Sequence, residues 1–152
     1  DLDLVVYLRS GQCSLDDLDT CKVPPPLAAV FEELERRHLE VEVLDSLDLD
    51  RISEAVEMED SDDGHLQRFV FYRAVCRPVN LRLIKRFENR LLRKERFRKK
   101  TEVKLREYLR ILVSSMRHVK SFEKYTARLR ESGVSIPADV EQKMKQYLKG
   151  DP

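Results

Sequence analysis

Tryptophan is absent, and five tyrosines and six phenylalanines are the only rings available to a core. Glycine occurs four times, and no two glycines are close in sequence. That excludes the glycine-rich turns that bring backbone amides up to a pyrophosphate, since the chain has neither a G-x-G-x-x-G nor a P-loop. The three cysteines, Cys13, Cys21 and Cys76, are odd in number and unpatterned in spacing. They argue against a disulfide framework and read as reduced thiols of an intracellular protein, in the cytoplasm or the nucleus. No apolar run is long enough to span a bilayer, and no basic-then-apolar start resembles a secretory leader. The first residue is Asp1, as expected of a fragment, so the missing leader carries little weight. The histidines His38, His65 and His118 fall on separate predicted elements with no nucleophile or carboxylate beside them in a recognisable arrangement. The chain therefore reads as non-catalytic, with no metal and no small-molecule cofactor.

What the chain has in excess is charge, at 38% of residues, alongside an apolar share of 41% that is too high for a disordered chain. The net charge of +1 conceals a division. Residues 1–64 hold nineteen acids against five bases, a net −14, and the remainder holds nine against twenty-four, a net +15. The 152 residues suit one domain, with an acidic α/β half over 1–76 and a basic helical half over 77–150. Either the acidic half lies on the basic half and partly neutralises it, or each half serves a different partner.

Periodicity places the elements. Leu4 to Leu8 reads as a buried strand, and Ser14 to Cys21 as a short helical turn. Pro26 suits the first position of a helix over Leu27 to His38, where Leu27, Val30, Phe31 and Leu34 share one face. Leu39 to Leu44 alternates as a strand, with Leu39, Val41 and Val43 on one side. Strand, helix, strand over about 40 residues predicts a parallel βαβ unit. Asp48 or Asp50 caps a helix from Arg51 to Met58, and a third strand is expected around Arg68 to Tyr72. Phe122, Tyr125 and Leu129 mark a later helix that Gly133 stops. The last helix starts near Pro137, with Val140, Met144, Tyr147 and Leu148 as its stripe. The expected fold is mixed α/β: a small three-stranded βαβ-type unit packed on a helical half with one long basic helix.

That helix, Asn80 to His118, organises the reading. Ile84, Phe87, Leu91, Leu105, Leu109, Leu112 and Met116 fall in one arc of about 80°, which favours a single helix; a break near Lys99 to Thr101 is the alternative. Ten of the nineteen residues from Arg82 to Lys100 are Lys or Arg, and two are Glu. Arg82, Arg86, Arg93, Arg96, Lys100 and Lys104 share the side opposite the apolar stripe, and Arg90 belongs to the same run. Phe97 leans toward that side and is the ring best placed to stack on a base. These eight residues are the candidate binding surface. The expected partner is a protein with an acidic surface, and the alternative is DNA or RNA. A solvated face whose long side chains cover apolar stems is the plainer reading of the same residues.

Two further stretches resemble known sites. Glu59 to Gly64 is similar to the opening half of an EF-hand loop, with Gly64 at position 6, but position 12 is Val70 and offers no carboxylate. A solvated turn is the better reading. Cys13 follows a strand as a redox cysteine does in thioredoxin-like proteins, yet there is no C-x-x-C and Pro24 to Pro26 interrupt the region.

Overall fold

Residues 2–9, 25–76, 81–116 and 119–149 are described by a computed structural model. The predicted Ser14–Cys21 turn, Asn80 at the start of the predicted long helix, Cys13, Cys21 and His118 lie outside the described residues. The β-branched pair Val5 and Val6 centres strand β1, Leu2–Leu8. Helix α1, Pro25–Arg36, leads to strand β2, Val41–Asp48, which pairs with β1 in parallel as the βαβ pattern predicts. Leu4 pairs with Val43 but Val5 pairs with Asp45, so Leu44 is an extra residue in β2. The bulge resets the alternation. Leu39 and Val43 are exposed rather than sharing a covered face, and burial concentrates beyond the bulge at Asp45, Ser46 and Leu47. Only part of α1 is covered. Ala29, Val30, Leu34 and Leu39 line an apolar groove of about 340 Å³ on its outer side, with Glu33 and Arg37 at the rim.

Among the described residues the sheet has two strands, not three. The predicted third strand is the middle of helix α3, Gly64–Val75. Its side chains are buried in several directions: His65, Leu66, Phe69, Phe71, Tyr72 and Val75 all lie inside. A helix covered nearly all round has no clean 3.6-residue stripe, and a short apolar run of this kind mimics a strand. The start of α3 is set locally. Asp63 accepts hydrogen bonds from the backbone of His65 and Leu66, both at 2.9 Å. Asp48 starts helix α2, Leu49–Met58, in the same way, accepting from Asp50 and Arg51.

The single long helix is a second expectation that the structure corrects. Residues 81–114 form two helices, α4, Leu81–Arg93, and α5, Glu95–Ser114, broken at Lys94 with φ −109° and ψ 77°. The break comes earlier than Lys99–Thr101. Lys94 is drawn to the end of α2: its Nζ lies 3.4 and 3.5 Å from the carbonyls of Val56 and Glu57 and 3.1 Å from the carboxylate of Glu59. Those carbonyls are the negative end of α2, which favours a cation. Thr101 is buried mid-helix, its hydroxyl donating to the Arg98 carbonyl at 2.7 Å.

A 3-10 turn, Val119–Ser121, precedes helix α6, Phe122–Glu131, and helix α7, Ala138–Lys149, completes the fold. Phe122, Tyr125 and Leu129 are buried as predicted; in α7 Val140 and Met144 are buried while Leu148 is exposed. Helix α3 sits at the centre, against β2, α2, α5 and α6. Phe71 packs its ring against Tyr72, Tyr108 and Tyr125 at centroid distances of 5.2, 5.3 and 5.4 Å. Phe69 links Tyr7 of β1 to Phe87 of α4. With no tryptophan, these rings are the bulkiest side chains joining the elements, among a larger number of buried aliphatics.

Candidate interaction surface

The eight predicted residues divide into three groups. Arg82, Arg86 and Arg93 are exposed on α4, and Arg96 and Lys100 are exposed on α5. At 100° per residue, Arg82, Lys85, Arg86 and Arg93 lie within an arc of about 100°, and all four are exposed. The one carboxylate of α4, Glu88, is turned away and pairs with Arg73 of α3. The outward face of α4 is thus cationic without an acid on it. Arg82, Lys85, Arg86, Arg93, Arg96 and Lys100 form no ion pair among the described residues.

A second group is half-buried and paired with acids of the fold. The Nη1 of Arg90 lies 3.0 Å from the Glu57 carboxylate and donates to the Ser53 hydroxyl at 3.0 Å. Lys104 stands 2.7 Å from Asp62 and 2.9 Å from Glu107, and those hydrogen bonds raise its pKa. With Lys94 on Glu59, three cations of α4, α5 and the break between them meet three acids at the end of α2 and in the loop after it. The acidic half therefore covers one flank of the basic half and leaves the other open. Lys94 did not stand out in sequence, because its role depends on where α2 ends.

Phe97 forms the third group by itself, and its placement corrects the expectation. It is 1% exposed, in the inner row Phe97, Thr101, Leu105, Leu109 and Leu112 that packs α5 against α3, α4 and α7. This row advances by four residues at a time to Leu109 and then by three to Leu112, a ridge that drifts around the helix. A fixed arc projected along one continuous helix puts Phe97 about 60° outside it, toward the basic side, whereas the break and the drift bring it inside. Its ring is not available to stack on a base.

The acidic loop serves the fold. Asp63 caps α3 and also meets Arg51 at 2.9 Å, while Asp60 accepts from the backbone of Asp62. No group of three or more His, Cys, Asp or Glu among the described residues is placed to hold a metal ion. Likewise, no helix among the described residues is long and apolar enough to cross a membrane.

A buried polar cluster ties α3 to β2, and sequence reasoning missed it because its two sides lie 17 or more residues apart in sequence. Asp45 accepts from Arg68 at 2.8 Å, from the Ser46 backbone at 2.8 Å and from the Tyr72 hydroxyl. Burial, and then the neighbouring Asp45, push the Tyr72 pKa up; burial, and then Cys76, push that of Tyr7 up to about 12. His65 Nδ1 accepts the Asp48 N–H at 3.1 Å, which fixes the proton on Nε2, an atom with no hydrogen-bond partner among the described residues. Burial, and then Arg68, lower the His65 pKa. Every polar bond found in this cluster is internal, so its chemistry is that of an anchor between sheet and helix.

Comparison with protein-family models, with curated proteins and with solved structures finds no match, so functional inference rests on the chain's own residues.

Proposed function

We propose that this chain is a non-catalytic interaction module, or a subunit of a larger assembly, that docks an acidic protein surface through Arg82, Lys85, Arg86, Arg93, Arg96 and Lys100. The observation that supports this reading is an outward face on α4 that carries four cations, no acid and no ion pair among the described residues. Opposing carboxylates elsewhere in the fold neutralise Arg90, Lys94 and Lys104. Arginine predominates on the open face, and its planar fork matches a carboxylate in two hydrogen bonds. The odd, unpatterned cysteines favour an intracellular setting.

Binding of DNA or RNA uses the same cations and is the competing reading. The burial of Phe97 takes from it the one ring that favoured single strands. Fluorescence anisotropy separates the two. Labelled polyglutamate, a DNA duplex and a DNA single strand are titrated with the wild type and with R86E/R93E/K100E. The docking reading expects polyglutamate to bind at low salt and the triple variant to lose at least about tenfold in affinity. A duplex that binds far more tightly, with a steep salt slope, transfers the face to nucleic acid. Failure of all three probes removes the surface.

A further inference from the structure

We infer that the partner segment received by this face is an acidic amphipathic helix lying along α5. The inference rests on the docking reading above and deepens it. It starts from a second stripe on α5. Arg96, Lys100, Val103, Glu107 and Ile111 follow one another at i, i+4, i+7, i+11 and i+15, the spacing of a helix seam that faces another helix. All five are exposed, Val103 at 49% and Ile111 at 63%. The inner row is already used by the fold, with Phe97, Leu105 and Leu109 buried against neighbouring helices. Helix α5 thus has two apolar-bearing sides, of which the described residues cover one. Leu92, 60% exposed at the end of α4, adds a third aliphatic beside the cations.

Single exposed aliphatics are ordinary on a protein surface. Here two stand in register on a charged helix, beyond two cations of the same stripe. A phosphate backbone would use Arg96 and Lys100 and ignore Val103 and Ile111. A flat acidic surface would do the same. A helix uses both: carboxylates opposite Arg96 and Lys100, and leucine- or isoleucine-type side chains opposite Val103 and Ile111. The stripe spans fifteen residue steps, about 22 Å, which a partner helix of about 16 residues covers. Arg93 and Arg106, exposed on either flank, meet further acids at the rim.

The test uses the full chain and three labelled peptides of equal charge. One is an 18-residue acidic peptide with leucines at i, i+3, i+4 and i+7. The second has the same composition with the leucines out of helical register. The third is polyglutamate. The in-register peptide is expected to bind about tenfold more tightly than the other two, and to gain helical circular dichroism as it binds. V103S/I111S, whose substitutions lie on the surface and whose folding a thermal melt checks, is expected to erase that preference while polyglutamate binds as before. Equal binding of all three peptides, or a serine pair that leaves the preference intact, overturns the helical partner while the cationic docking face survives. Loss of every interaction, polyglutamate included, overturns the docking reading and this inference together.

Discussion

At the scale of single residues, the buried polar side chains decide how the fold responds to pH. His65 is buried with Nδ1 engaged as an acceptor, and burial holds its pKa below the ordinary 6.5. In the unfolded chain the imidazole takes up a proton near that ordinary value, and in the fold it does not. The unfolded state then binds more protons, so stability rises with pH through this window and falls on acidification. Urea denaturation between about pH 7 and 5 is expected to show that loss, with a shallower slope in His65→Asn. An unchanged slope in the variant would place the titrating groups elsewhere. Tyr7, raised to about 12, contributes the mirror effect, a stability lost as pH climbs above 10.0. None of this was legible in the chain, where His65 is simply the residue after Gly64.

Among the elements, local capping and tertiary packing divide the control. Helices α2 and α3 begin where an aspartate side chain meets free backbone N–H groups, and both caps are short-range. Replacing Asp63 by Ala is expected to cost about 1–2 kcal/mol in chemical denaturation. Asp63→Asn, which keeps the cap and loses the ion pair with Arg51, should recover most of it, because the Arg51 partner is largely exposed and solvent screens the pair. Equal losses in the two variants would mean that the charge matters more than the cap. Position 48, one of the two caps expected from sequence, is legible for the same local reason. The break at Lys94 is not, because its cause is the end of another helix 38 residues away in sequence.

For the molecule as a whole, the question is how a chain with +15 on one part and −14 on the other arranges its charge. The acids around the end of α2 take up Arg90, Lys94 and Lys104 and leave the outer face of α4 open. These pairs are partly solvent-exposed, so the triple change E57Q/E59Q/D62N is expected to lower the melting temperature only slightly. It should at the same time strengthen polyglutamate binding by about tenfold, as the three carboxylates beside Arg90, Lys94 and Lys104 lose their charge. Anisotropy together with a thermal melt checks both halves of this expectation. A large drop in stability with unchanged binding would make the pairs a structural seam with no bearing on docking.

The sequence by itself determined the features that depend on near neighbours along the chain: the parallel βαβ unit, the Asp48 cap, the buried row of α6 and the cationic run from Arg82 to Lys100. Each rests on periodicity, on a cap two or three residues away or on plain composition, and such signals survive without a third dimension. Only the tertiary structure decided that Arg68 to Tyr72 is helical, since burial on several sides blurred its period. It alone carried Phe97 into the core, broke the long helix at Lys94 and sorted the cations into paired and open sets. Those outcomes are settled by the element that lies across the gap, and nothing local in the chain reports where that neighbour will be.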